Sequence, residues 1–123
     1  MPRAQRDERV FVLPLDGTGK VLAKPILVSV GHENGTAAID AGAIFREALK
    51  AGAEEIIVAH NHPSGDLAPS KADVAATKEL EDIAARLGVV FLDHMILGQV
   101  DPLDRKVGDR TGLRSPTVQA GAG

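Results

Sequence analysis

A short, almost purely apolar run, EIIVA at residues 55–59, limits most strongly how this chain can fold. The run is the length of a strand, and polar residues bound it on both sides, which is typical of a strand buried on both faces of a sheet. Helical patterns lie before and after it. We therefore predict a mixed α/β domain with at least one helix on a face of the sheet.

Two β-rich segments, residues 9–15 and 21–30, flank the turn sequence DGTG and predict a hairpin. Pro14 and Pro25 each remove a backbone donor, so one or both strands should lie at a sheet edge or be interrupted. The sequence VVFLDHMILG, at residues 89–98, predicts a further strand.

Two helices are expected around the apolar strand. The first follows Asp40, its N-cap, and continues to about Lys50. The second begins at Ser70 and ends at Gly88 after about eighteen residues. The segment HNHPSGDLAP, at residues 60–69, joins the apolar strand to this helix, and such loops commonly carry the sites of α/β proteins.

Length and composition fit one globular domain. The 123 residues are 44% hydrophobic and 25% charged, which is ordinary for a single domain. We assign residues 1–100 to this domain and residues 101–123 to a C-terminal extension. The end of the extension has too little apolar content to pack, so we expect the extension to be partly disordered.

The net charge and the absence of certain residue types disfavour some classes of function. The net charge of -3, with three Phe and no Trp or Tyr, disfavours direct nucleic-acid binding, because phosphates attract basic residues and bases stack on aromatic ones. The sequence has no Cys, so His and carboxylates would have to hold any metal, and this fits a cytoplasmic protein. We expect a soluble protein with no membrane contact. The sequence leaves open whether it forms a homodimer.

His60 and His62 stand two residues apart at the end of the apolar strand, where extended backbone projects both to the same side. Asp73 lies three and seven residues before Ala76 and Leu80 of the apolar helix stripe, so its carboxylate should point inward. A buried carboxylate needs a partner, and a metal held by two histidines would be one. Such a ligand set leaves a tetrahedral position for water, as in catalytic zinc sites.

These residues also have plainer interpretations. A His-x-His pair is often two polar residues in a turn, and Ser70-x-x-Asp73 nearly matches a capping box. The conjunction of both histidines, Ser70 and Asp73 around one loop favours the metal site. The contiguous letters HNH do not indicate an HNH nuclease, because in those nucleases the named residues are dispersed along the chain.

The spacing of His60-x-His62, seven residues, Ser70, two residues and Asp73 resembles the JAMM motif of the JAB/MPN metalloprotease superfamily. The strings HNHPSGDLAPSKADVAATKEL and LGVVFLDHMILG are similar to its RadC branch, bacterial proteins long labelled as DNA repair proteins. This resemblance covers about residues 8–98 and implies a mixed sheet with flanking helices, the JAB/MPN (cytidine-deaminase-like) domain. It implies that both histidines and Asp73 bind Zn²⁺, that Ser70 stabilises an oxyanion, and that an upstream glutamate is a general base.

Three glutamates precede the motif: Glu8, Glu33 and Glu47. In the RadC branch the glutamate stands just before the first strand, in a pattern like E-x-F-x-V-L-x-L-D, and residues 8–16 follow this spacing. The resemblance therefore assigns the general base to Glu8, which without it would be read as a solvated charge. Glu47 falls opposite much of the apolar stripe of its helix, and Glu33 remains an alternative.

The sequence departs from the family pattern in three places. RadC proteins typically carry an N-terminal helix-hairpin-helix region, whereas this sequence begins essentially at the domain, so a DNA-binding role is not carried over from the family label. Residues 41–43, AGA, stand where relatives have Pro-Arg-Glu, and Pro14 replaces a bulky residue of the first strand.

Asp93 and His94 are adjacent in the last predicted strand, so their side chains face opposite sides of the sheet. At most one of them can point towards the loop at residues 60–69. A hydrogen bond to a metal-bound imidazole and a satisfied polar residue of the core are both open interpretations. Ser64, Gly65 and Asp66 should form the turn of the loop, with Gly65 adopting backbone angles that favour glycine.

The leading hypothesis is a zinc-dependent hydrolase of peptide or isopeptide bonds, in which Glu8 takes a proton from water and Ser70 donates to the oxyanion. A binding or scaffold module with weak catalysis is the second hypothesis, and retention of every motif residue argues against it. The third is an accessory protein in DNA repair or mobile-element biology that reaches nucleic acid through a partner. The identity of the peptide or protein substrate stays open.

Overall fold

The computed structural model describes residues 8–31, 39–62, 65–98 and 110–113. Its elements are, in chain order, β1 (Glu8–Leu15), β2 (Ile26–Gly31), α1 (Ala41–Lys50), β3 (Glu55–Asn61), α2 (Lys71–Leu87), β4 (Val90–Leu97) and β5 (Arg110–Leu113). The described strands form a five-stranded sheet in the order β2-β1-β3-β4-β5. The predicted mixed α/β fold is confirmed.

Strand β3 lies at the centre of the sheet, antiparallel to β1 and parallel to β4. A parallel pair needs a long crossover connection, and α2 provides it. Val10 of β1 is the register partner of His60, and Val58 of β3 is the partner of His94. Because directly paired residues share a face of a sheet, this register brings His60 and His94 to the same face.

Both helices pack on that face, where a single buried cluster joins them to the sheet. The cluster includes Val10, Val12, Ile56, Val58 and Phe91 of the sheet, Ile44, Phe45 and Ala48 of α1, and Leu80 and Ala84 of α2. On the opposite face, Ile57 and Ala59 of β3 are only half-buried. The expectation that β3 is buried on both faces is therefore wrong for this second face, because α1 and α2 cover only the first.

The two prolines lie where a missing donor is tolerated. Strand β2 is at the sheet edge and begins at Ile26, directly after Pro25, so it is shorter than predicted. Strand β1 is internal, but its ladder with β2 ends at Val12, before Pro14. The carbonyl of Pro14 still accepts a hydrogen bond from the amide of Leu22 at 2.9 Å. The predicted hairpin is thus interrupted at its turn end.

The helix ends agree with the predictions. The side chain of Asp40 accepts a hydrogen bond from the amide of Ala43 at 3.0 Å and caps α1. Ser70 caps α2, which ends at Gly88 with a φ of 76°, a conformation that glycine adopts without steric cost. Neither described helix is both long and apolar enough to cross a membrane.

Strand β5 lies in the predicted C-terminal extension and was not anticipated from the sequence. It pairs antiparallel with β4, from His94 opposite Leu113 to Leu97 opposite Arg110. The sheet therefore draws on residues beyond the predicted domain boundary at residue 100. The rest of the extension, and with it the prediction of partial disorder, lies outside the described residues.

Leu80→Ala should lower the free energy of unfolding by about 2–5 kcal/mol, because the leucine is fully buried between α2 and the sheet and its truncation leaves a cavity. Leu87→Ala is the matched control on the same helix, since Leu87 is 47% exposed, and should change stability by less than about 1 kcal/mol. Urea unfolding followed by circular dichroism measures both. Equal losses would contradict the described packing of α2.

Candidate metal centre

Three electron-pair donors converge between the end of β3 and the start of α2. The Nε2 atom of His60 lies 3.0 Å from Nε2 of His62 and 3.2 Å from Oδ1 of Asp73. The Nε2 atom of His62 lies 3.0 Å from Oδ2 of Asp73. Two imidazole nitrogens on one tetrahedral zinc ion would be about 3.3 Å apart at normal bond lengths. The three side chains are therefore spaced to hold one ion.

The end of β3 and the turn after it orient the two histidines. His60 is 2% exposed and faces the helices, beside its partner Val10. After His62 the chain turns, with the amide of Gly65 donating to the carbonyl of His62 at 2.9 Å and a φ of 86° at Gly65. The turn brings the carbonyl of Asp66 within 2.8 Å of Nδ1 of His62. The predicted conformation of Gly65 is confirmed, whereas Ser64 lies outside the described residues.

The first turn of α2 fixes Asp73. The hydroxyl oxygen of Ser70 accepts a hydrogen bond from the amide of Asp73 at 3.0 Å, and Oδ2 of Asp73 accepts one from the amide of Ser70 at 2.8 Å. The side chain points inward as predicted, and the residue is 7% exposed. The capping-box and ligand interpretations are therefore compatible, because the same carboxylate closes the box and faces the two histidines.

The environment sets the charge of the ligand atoms. Burial lowers the pKa of His60 to about 4, so its ring is neutral at neutral pH. Burial acts to raise the pKa of Asp73, but the amide of Ser70 and the neighbouring histidines outweigh it, and the pKa lies below its usual value. An ionised carboxylate beside a neutral imidazole is the form in which these side chains bind a divalent metal.

A buried chain of hydrogen bonds lies behind His60. Its Nδ1 atom is 2.8 Å from Nε2 of His94, and Nδ1 of His94 is 2.7 Å from the hydroxyl of Thr77. That hydroxyl donates to the carbonyl of Asp73 at 2.8 Å. Burial lowers the pKa of His94 to about 3, so this ring is neutral as well. Asp93 accepts a hydrogen bond from the amide of His94 at 2.8 Å, and the ring of His94 is the one that contacts His60.

The three candidate glutamates have different positions. Glu8 is the first residue of β1, two residues before Val10, so it lies on the face of the sheet that carries His60. Glu47 lies on α1 and pairs with Lys50 at 3.6 Å. Glu33 lies outside the described residues. The fold is thus compatible with Glu8 as the general base, and that role stays a prediction.

Sequence reasoning missed Thr77 and Asn61. Thr77 is fully buried four residues after Asp73, a spacing that places both on one helix face and was a usable signal. Asn61 is 2% exposed, and its side-chain oxygen accepts a hydrogen bond from the amide of Arg9 at 2.7 Å. This bond continues the contact between β1 and β3 beyond the last backbone pair, next to Glu8. No pattern in the sequence signalled it.

Fold and site together define a mixed α/β domain in which the central strand and the following helix build a His-His-Asp cluster that could hold a metal ion. Comparison with known proteins gives the family. The family model described as the RadC-like JAB domain matches residues 1–103 of this sequence. The chain belongs to the RadC-like JAB domain family, as the resemblance of the motifs predicted.

Several curated relatives are named UPF0758 proteins. The chain is 43% identical over 95 residues to the one from Carboxydothermus hydrogenoformans, which covers 77% of this chain and 41% of that protein. It is 38% identical over 101 residues to the one from Finegoldia magna, covering 82% and 44%. For the protein of Trichormus variabilis the identity is 43% over 114 residues, covering 93% and 43%. The chain thus spans less than half the length of these relatives.

Ser70→Ala should lower the free energy of unfolding of the metal-free protein by about 1 kcal/mol, because it removes the acceptor for the amide of Asp73. Ser70→Asn keeps an N-cap acceptor and should remain close to wild type. Urea unfolding in the presence of a chelator measures both variants. An equal loss of stability in the two would show that the serine does not act as a cap.

Proposed function

We propose that this chain is a zinc-dependent hydrolase of peptide or isopeptide bonds whose ion is held by His60, His62 and Asp73. The observation that carries the proposal is the convergence of two imidazole nitrogens and one carboxylate at 3.0 to 3.2 Å. Nitrogen and oxygen ligands in this number, with a further position for water, are typical of catalytic zinc. Family membership supports the same type of site.

Bound zinc would supply a Lewis acid that acidifies water and polarises an amide carbonyl. The protein would provide the proton transfers and the positioning. Glu8, on the face of the sheet that carries His60, accepts a proton from the attacking water and can return it to the leaving amine. A carboxylate suits both steps, because it can alternate between the ionised and the protonated form.

Ser70 can cap the helix and take part in the reaction at the same time. Its cap bond uses a lone pair of the hydroxyl oxygen, as acceptor from the amide of Asp73. The hydroxyl proton is not used in that bond, so it can donate to the oxyanion that forms on the attacked carbonyl. Ser70 is exposed whereas His60 is buried, so the substrate would approach from the side of Ser70.

His62→Ala and Asp73→Asn should each lose the metal, because each removes one of three ligands, while the wild type should retain about one zinc ion per chain. Asp82→Asn is the matched control, since Asp82 is an exposed carboxylate on the same helix as Asp73. Elemental analysis after gel filtration gives the zinc content of each variant. Stoichiometric zinc in the His62 variant would rule out the proposed site.

Glu8→Gln should lower kcat by about 100-fold or more, the usual loss when a general base is removed, and should leave the zinc content unchanged. Glu47→Gln is the control, because Glu47 pairs with Lys50 on α1 and has no proposed role. A library of internally quenched peptides, together with a lysine isopeptide, provides the probe substrates for the zinc-loaded protein.

Two results would contradict the enzymatic part of this proposal. Wild-type turnover in the Glu8 variant would remove that residue from the mechanism. Stoichiometric zinc without cleavage of any probe would favour a binding module that keeps the metal site. Zinc content and turnover therefore test the site and the reaction separately.

A further inference from the structure

His94 and Thr77 form a buried path from the backbone of α2 to the ligand His60. Both residues have no solvent exposure, and neither is one of the three side chains whose ligand atoms converge. The path has three bonds: the hydroxyl of Thr77 to the carbonyl of Asp73, Nδ1 of His94 to that hydroxyl, and Nε2 of His94 to Nδ1 of His60. Its lengths of 2.7 to 2.8 Å are those of well-formed hydrogen bonds.

The carbonyl at one end determines where each proton lies. A carbonyl has no hydrogen to donate, so the hydroxyl of Thr77 must use its single proton in the bond to Asp73. The same oxygen can then only accept from Nδ1 of His94, which must carry a proton. A neutral imidazole has one N–H, so Nε2 of His94 is an acceptor, and the proton between the two rings belongs to Nδ1 of His60.

The consequence reaches the ligand atom. With its one proton on Nδ1, a neutral His60 presents a lone pair at Nε2, the atom that lies 3.0 Å from Nε2 of His62 and 3.2 Å from the carboxylate of Asp73. Reversal of the bond between the two rings would instead place the proton of His60 on Nε2 and block the use of that atom as a ligand. Which ring donates in the hydrogen bond between His94 and His60 therefore decides whether Nε2 of His60 can bind a metal.

We propose that Thr77 of α2 and His94 of β4 are positioning residues that fix His60 as the Nδ1-protonated tautomer. Through this tautomer they would determine the affinity of the site for a metal ion. This inference rests on the metal site of the proposed function, but the tautomer can be measured without metal. It assigns a role to the Thr77 hydroxyl, which lies two hydrogen bonds away from His60.

Thr77→Val and Thr77→Ser provide the matched pair. Valine keeps the shape of threonine and removes the acceptor for Nδ1 of His94, whereas serine keeps the hydroxyl. Without that acceptor, His94 is expected to move its proton to Nε2 and donate to His60, which then carries its own proton on Nε2. Zinc affinity should fall by about 10- to 100-fold in the valine variant, as for other partners of metal-bound histidines, and stay near wild type in the serine variant.

Two measurements on the same protein samples test this. The nitrogen chemical shifts of ¹⁵N-labelled histidines in the metal-free protein at neutral pH report the tautomers, and competition with a chromophoric chelator reports the affinity for zinc. The expected result is protonation at Nδ1 of His60 in the wild type and in Thr77→Ser, with a shift towards Nε2 protonation in Thr77→Val. A merely structural role for Thr77 would not move the tautomer of His60.

The outcomes are separable. A wild-type His60 protonated at Nε2, or a Thr77→Val protein with the wild-type tautomer, overturns the proposal even where zinc affinity falls. A wild type that has the expected tautomer but binds no zinc overturns the proposed function and leaves the hydrogen-bond path standing. If Thr77→Val does not fold, His94→Gln and His94→Leu replace the pair, since only glutamine keeps an acceptor for His60. Equal zinc affinities of those two variants would also overturn the proposal.

Discussion

The buried carboxylate of Asp73 is the group on which the arrangement of this site depends. An ionised side chain that is 7% exposed needs polar or charged partners, and the contacts of Asp73 connect it to three parts of the site. The amide of Ser70 donates to Oδ2, and the two ligand histidines approach both oxygens. The carbonyl of the same residue anchors the hydroxyl of Thr77. Asp73 thus takes part in the cap of α2, in the cluster with His60 and His62, and in the hydrogen-bond path through Thr77 and His94.

The central position of β3 explains how distant parts of the chain reach this carboxylate. Its antiparallel partner β1 puts Glu8 on the face that carries His60, and its parallel partner β4 puts His94 there as well. A parallel pair requires a crossover, and the crossover helix is α2, whose first turn carries Asp73. The same connection that makes the sheet mixed therefore brings Asp73, the third candidate ligand, to the end of the strand that carries His60 and leads into His62.

The sequence predicted the parts of the structure that depend on local signals. Asp40, Ser70 and Gly88 mark helix ends because capping is decided by a few neighbouring residues, and the structure places all three as expected. The His60 and His62 spacing and the inward side of Asp73 also follow from local periodicity. Family resemblance was needed to predict catalytic roles for Glu8 and Ser70, because neither type of residue is distinctive at its position.

What could not be predicted depends on contacts between distant segments. Strand β5 has no strong pattern of its own and is defined by its pairing with β4. Asn61 bonds to Arg9 across 52 residues of sequence, so no local rule applies to it. The spacing of Thr77 from Asp73 places it on the same helix face, but the role of its hydroxyl follows only from the contact with His94 of β4. The half-buried second face of β3 likewise follows from the packing of both described helices on the first face.

The three candidate ligands are held in place by hydrogen bonds within the protein. His62 is tied through Nδ1 to the carbonyl of Asp66, His60 through Nδ1 to His94, and Asp73 through Oδ2 to the amide of Ser70. Little conformational entropy would then be lost when an ion binds, which favours affinity. Because His60 and His62 lie at the end of β3 and Asp73 lies in the first turn of α2, an ion that binds only the folded state would stabilise the domain at this junction. An ion held by these three side chains would therefore link the end of β3 to the start of α2.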